Sequence, residues 1–415
     1  MNFQTLSTAR RSTLAIAALI GTTVALAGTP ANAQLTELDV LRQQILELQN
    51  KLTALEEAQK KVAAPAAPTV ASSSKLPVTV SGLLQMHALG RLDDDRGGSS
   101  LKDTLRIRRG EIRITAPNIT SNISGTVMFD LGKTSANGTN SSGTTVGTER
   151  NAILQELVLT WQAQKNANYN TFVDIGQYKV PFGYEGDLVS SGALQAVERA
   201  LYYRSSVVNS SIRLAGDQRE RGILVRGNVG EFDYNLGIFD GLGERQNTTD
   251  FDSNKALAAR LIYKPKSLAG LQIGASYATG KVGNLNFLGA TQRFERDLAN
   301  AFVVYKKDKL TAQAEYFDVS VKGETTGTEV DGRSYYGSLG YLFTPQLEGV
   351  LRYDEFDANR DSDNAKTKES TLGLNYYIKG NNAKVQANLV KTDRPTSEGE
   401  SQDNTELRVN FQVAF

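Results

Sequence analysis

Thr405-Glu406-Leu407-Arg408-Val409-Asn410-Phe411-Gln412-Val413-Ala414-Phe415 alternates apolar and polar residues without a break. In a strand, Leu407, Val409, Phe411, Val413 and Phe415 share one face, and Glu406, Arg408, Asn410 and Gln412 the other. In a soluble sandwich the apolar face would meet a second sheet. A strand closing on Phe also matches the last strand of an outer-membrane β-barrel, whose aromatic girdle lies at the membrane interface. The rest of the chain decides between them.

The start reads as an export signal over 1–33. Arg10 and Arg11 supply the positive region, Leu14 to Leu26 the apolar core and Ala31-Asn32-Ala33 the cleavage site. That core is broken by Gly21, Thr22 and Thr23 and is short for a bilayer span of about 20 residues. No later segment is apolar enough for a transmembrane helix. An exported chain that needs a membrane is left with a closed barrel, because lipid satisfies no backbone polar group. The chain has no Cys and one His, His87, which excludes thiolate and multi-histidine metal sites. No cofactor is expected, and no Asp-His-Ser setting around His87 supports an enzyme. Of 46 basic residues two lie in the leader, leaving 44 against 45 acidic, so there is no basic field for nucleic acid.

Residues 34–62 differ in kind from the rest. Leu38, Leu41, Ile45, Leu48, Leu52, Leu55 and Val62 fall on a and d positions of a heptad repeat, with Gln59 the polar exception. This spacing predicts a short helical coiled coil in the periplasm, a candidate contact for the cell wall. The Ala, Pro and Ser of 63–77 read as a linker. From 78 to 415 the text is period two, with about sixteen candidate strands. The fold class is therefore all-β, a transmembrane antiparallel barrel preceded by the coiled coil.

The connections carry most of this argument. Every second one is short: Pro117 to Thr120, Gln164 to Asn168, Val229-Gly230, Pro265 to Gly270, Lys307 to Lys309, Pro345, Gly380 to Asn382. The others, such as Leu92 to Lys102, Gly132 to Glu149, Val180 to Gln218, Gly241 to Ser253 and Gly280 to Glu295, are long and polar. Short turns on one side and long loops on the other are the asymmetry of a membrane barrel. A charge facing lipid near the midplane costs about 2 to 4 kcal/mol, so Glu348, Arg352 and Asp354, opposite Leu347, Leu351 and Tyr353, must face the lumen. A charged, wet lumen is a channel.

Arg106, Arg108, Arg109 and Arg113 form the densest basic cluster. The apolar parity flips near Arg109-Gly110, which predicts a bulge that turns several guanidiniums inward. Arg226, Arg260, Arg352, Lys384 and Arg408 alternate with apolar neighbours and are further lumen candidates. The longest connection, 180–218, is the natural constriction loop, and its Arg199, Arg204 and Arg213 are expected to approach the lumen arginines. Guanidiniums match phosphate oxygens bidentately, so a mild preference for small anions is expected. Acids including Glu111, Glu156, Glu315, Glu348, Asp354 and Glu406 balance them, which leaves a weakly selective general pore, or a plugged structural tether, as alternatives.

The segment Gly176-Gln177-Tyr178-Lys179-Val180-Pro181-Phe182-Gly183-Tyr184-Glu185, followed by Val197-Glu198-Arg199-Ala200-Leu201, resembles the signature of the phosphate-selective porins of O/P type. Leu372 to Ile378 and Leu407 to Phe415 extend the likeness over nearly all of 78–415. The resemblance implies a sixteen-stranded homotrimer in the outer membrane, among lipid and lipopolysaccharide, whose third long loop folds inward. Lys179, Pro181, Phe182, Gly183, Glu185 and Glu198 would then belong to the constriction. Phosphate selectivity does not follow from fold.

Overall fold

A computed structural model describes seven helical positions between 43 and 53, and residues 78–415 except 95–103, 134–137, 140–144, 147–152, 167, 205–218, 243–253, 288–289, 363–364 and 396–400. The chain divides into two compact units, Met1–Ser74 and Lys75–Phe415. In the first, Lys51 pairs with Glu47 one helical turn away at 2.8 Å. The a and d residues of the expected coiled coil, the leader and the linker lie outside the described residues, as does Arg213.

In the second unit the strands are β1 (Thr79–Asp94), β2 (Thr104–Thr120), β3 (Ile123–Asp130), the short β4 (Gly138–Thr139) and β5 (Thr145–Val146), β6 (Leu154–Lys165), β7 (Tyr169–Lys179), β8 (Arg219–Val229) and β9 (Phe232–Phe239). They continue with β10 (Ala256–Tyr263), β11 (Leu271–Phe287), β12 (Ala290–Lys307), β13 (Leu310–Gly323), β14 (Glu329–Leu342), β15 (Leu347–Asp357), β16 (Lys366–Tyr377), β17 (Ala383–Pro395) and β18 (Ser401–Ala414). Sixteen of these described strands form one closed antiparallel barrel in sequence order, sealed where β1 pairs β18, with Met86 opposite Phe411. β4 and β5 pair only with each other, inside a long connection. Closure leaves no sheet edge.

The outer surface is apolar, as alternation requires: Leu84, Leu157, Leu236, Leu261, Leu351, Leu374 and Val413 are all exposed. Trp161, Tyr169, Tyr263, Tyr341 and Tyr376 ring the turn end, and Tyr277, Tyr316, Tyr335 and Tyr353 stand toward the loop end. Among the described residues no helix is long and apolar enough to cross a membrane.

Three expectations need correction. β2 runs through Pro117 to Thr120, with a register shift between Ala116 and Thr120, so the turn is only Ser121 and Asn122. Pro117 cannot donate to a ladder and sits in that irregularity. Gly280 to Glu295 is not a polar loop but largely the paired ends of β11 and β12, with Phe287 opposite Ala290. A strand carried past the apolar band is wet on its outer face, so its period-two signal fades while its ladder continues. Nor is the lumen face charged throughout: Phe294, Leu298, Phe317, Val319, Val321 and Val330 point inward and are buried.

Candidate functional site

Residues 180–204 lie inside the barrel. Their only regular structure is two single 3₁₀ turns, Ser191–Ala193 and Leu201–Tyr203, so most of their backbone must find partners on the wall. Two kinds of contact hold this strap. One is an aromatic stack: Phe182 and Tyr202 lie face to face, and Tyr202 stacks on Phe317 of β13 with ring centroids 3.6 Å apart. These rings join the buried inward side chains of β12–β14 in one apolar core. Inward apolar residues, unreadable as lumen from periodicity alone, thus meet the strap rather than water.

The other kind is polar. Glu315 of β13 accepts the backbone N–H groups of Tyr184 and Glu185, both at 2.8 Å, and the hydroxyls of Tyr203 and Tyr336 at 3.0 and 2.6 Å. Gly183 N–H donates to Ser276 Oγ at 2.9 Å. Its φ of 71° is left-handed, and a Cβ there would lie 2.0 Å from Tyr203 Oη, so only glycine fits. Farther along, Lys384 Nζ donates to Leu194 O at 2.9 Å, Asn375 Nδ2 to Gln195 O at 2.9 Å and Gln412 Nε2 to Gly192 O at 2.9 Å. Val197 N–H donates to Asn388 Oδ1 at 2.7 Å and Leu201 N–H to Asp354 Oδ2 at 2.6 Å. The signature residues take part: Lys179 Nζ donates to Gly186 O, Glu185 accepts Ala200 N–H, and Pro181 is buried beside Phe182.

The arginines of β2 meet the strap at Glu198. Gln85 of β1 pairs with Arg109 and Met86 with Ile107, so Arg108 is the extra residue of the expected bulge. Arg106 Nη2 donates to Glu198 Oε1 at 2.6 Å, and Arg108 grips both oxygens, at 3.0 and 3.1 Å. Burial opposes charge on Glu198, yet the guanidiniums of Arg108 and Arg106 hold its carboxyl well below the usual range. Arg109 donates to Gln85 Oε1 at 2.8 Å, and Arg113 meets Glu156 at 2.7 Å. Arg226 pairs with Asp174 at 2.5 Å and lies over the Phe172 ring.

The remaining candidates lie beneath the strap, not at open water. Arg260 donates to Gly183 O and Asp187, Arg352 to Glu185 and Arg199 O, and Arg408 to Glu406 and Glu369. Arg204 also binds Glu369, so one wall carboxylate joins it to Arg408. Arg199 turns back on its own loop, donating to the carbonyls of Glu185 and Val189. Sequence reasoning named no strap contact for Glu369, Asn375, Gln386 or Asn388. Their polar alternation marks them as inward, but nothing local says that an inward amide meets a loop about 200 residues away.

The water-facing pairs share an asymmetry. The Arg106 and Arg108 side chains are 44% and 28% exposed against 7% for Glu198. Arg113 is 40% exposed and Glu156 11%, Arg226 39% and Asp174 7%. Each contact turns its guanidinium to the lumen and its carboxylate into the wall, and at Glu198 two guanidiniums share one carboxylate. A passing ion meets the cation first, where short-range attraction outweighs the more distant partner.

The family model for phosphate-selective porin O and P matches residues 84–293 and 274–415. The fold is similar to an anion-selective porin from Comamonas acidovorans, 15% identical, covering 81% of this chain and 99% of that one with a TM-score of 0.58. It is also similar to the outer membrane channel DcaP of Acinetobacter baumannii (14% identical, 81% and 97% covered, TM-score 0.54) and to Salmonella typhi OmpF in complex with daunomycin (13%, 81% and 97%, 0.51). No curated protein matches the chain in sequence. The barrel, its apolar belt and the family match together define an outer-membrane channel, and the chain belongs to the phosphate-selective porin O and P family.

Proposed function

We propose that the barrel carries small hydrophilic solutes by passive diffusion with a preference for anions, phosphate among them. The observation behind this reading is the exposure asymmetry of the Arg106/Arg108–Glu198, Arg113–Glu156 and Arg226–Asp174 pairs. Three carboxylates offset most of the charge of the four arginines in those contacts, which favours a mild preference over a strict one. The test is the reversal potential of the purified protein in a planar bilayer under a salt gradient, with chloride and then phosphate as anion. A potential on the anion side supports the proposal; an ideally cation-selective or silent barrel overturns it.

The proposal extends to assembly. Three barrels would stand together, with residues 34–62 forming a parallel three-stranded coiled coil in the periplasm near the cell wall. Support comes from the heptad spacing of Leu38 to Val62, although leucine at a and d positions does not by itself fix the number of helices.

A further inference from the structure

Gly337 has no reason inside the protein to be glycine. It lies mid-strand on the outer face of β14, paired with Ala314 of β13 and Tyr353 of β15. Like Gly230, Gly327 and Gly380, it would place a Cβ in open space, but those three have left-handed φ values and it does not. Glycine weakens a strand interior, and one that neither packs closely nor turns the chain marks a close approach from outside.

Gly337 is the floor of a groove of about 770 Å³ on the outer surface. A single row of paired residues runs through it, Ala314, Gly337, Tyr353, Ser370, Lys391 and Thr405, across β13 to β18. Ala314, Gly337 and Ser370 keep the row shallow, while Leu339, Leu351 and Leu372 of the next row form an exposed apolar bank. Because strands tilt in a barrel, the row climbs: Ala314 is near the turn end of β13 and Lys391 near the loop end of β17. The groove is thus apolar along its length and ends beside a lysine at the loop-end surface.

We propose that this groove seats one acyl chain of a phosphorylated lipid of the outer leaflet, with the lipid phosphate at Lys391. Two observations select lipid over a second copy of the chain. Tyr335 and Tyr353, which donate to Glu355 at 2.9 and 3.1 Å, belong to the loop-end tyrosine row, and such rows mark surfaces facing the lipid headgroups. At the upper end Lys391 and, on β16, Lys368 are exposed beside the half-buried Asp393, and the two cations are complementary to a phosphate. The site is separate from the lumen and does not depend on the ion preference of the pore.

The test is native mass spectrometry of the detergent-purified porin titrated with dioleoyl phosphatidic acid or, as neutral-headgroup control, dioleoyl phosphatidylcholine. The wild type should retain phosphatidic acid at least several-fold better than phosphatidylcholine. Gly337→Trp, whose side chain would enter open space, should fold, conduct as wild type and lose retention of both lipids; Lys391→Glu should lose only the preference. Undiminished retention by Gly337→Trp overturns the proposal. So does a change of oligomeric state in Gly337→Trp with retention intact, which would make the groove a contact between copies. Should Gly337→Trp fail to fold, Ser370→Trp on the same row gives the same readout.

Discussion

Glu198 is the residue on which the lumen charge turns. It is the carboxylate between Arg106 and Arg108, and it hides where they face water. Glu198→Gln removes the charge but keeps the side-chain shape, so the guanidiniums lose their counter-ion. A unit charge about 6 Å from an ion in water-like surroundings is worth about 0.7 kcal/mol, so the anion-to-cation permeability ratio should rise roughly threefold, read as a shift in reversal potential. An unchanged potential would mean that ions do not pass this pair. The pH dependence has a definite sign. Because its arginines depress the carboxyl in the folded state, the contribution of Glu198 to docking is complete above the ordinary value of 4.5 and is lost only as pH falls through the depressed one. Selectivity should therefore stay flat in a pH titration from 8 to 5; a step inside that window would show another group in control.

At the scale of the element, the strap is the part least able to hold itself. Glu315 gathers five of its neighbours' donors, two from the strap backbone and one each from Tyr203, Tyr336 and Asn300. In Glu315→Ala those buried donors lose their acceptor, at about 1–3 kcal/mol each. The barrel ladder is untouched, so the protein should remain heat-modifiable while 180–204 becomes open to protease and single-channel traces grow noisy. Quiet traces and resistance to cleavage would show that the Phe182–Tyr202–Phe317 stack alone suffices. The same element marks how far sequence reasoning reaches. Strands such as Tyr169–Lys179 were legible to the residue, since lipid on one side and lumen on the other impose strict alternation. The bulge was legible too, because Arg108 breaks parity between Ile107 and Ile112. The pairing of Arg352 with Glu185, or of Arg204 with Glu369, was not. Alternation tells which way a side chain points and nothing about what folds back to meet it, so an arginine row legible as an anion path is in large part a set of clamps for the strap.

At the scale of the whole molecule, overall charge is almost cancelled: 46 basic residues stand against 45 acidic. Any ion preference must then be local, set by which member of each pair faces the water. Assembly has its own test. Deleting 35–62 should leave the proposed barrel oligomer intact by cross-linking; a monomeric barrel would instead give this segment the role of driving assembly. Local selectivity also has a length scale that salt can probe. The screening length is about 30 Å at 0.01 M and about 3 Å at 1 M, so exposed guanidiniums act across a lumen in dilute salt and only on contact in concentrated salt. Replacing both Arg106 and Arg108 with Glu should therefore abolish or reverse anion preference in dilute salt and change conductance in molar salt much less. This comparison separates charge from shape. If the double variant altered conductance equally at both salt concentrations, its effect would come from a displaced Glu198 and a moved strap, and the arginines would be anchors of the loop rather than the charges that choose the ion.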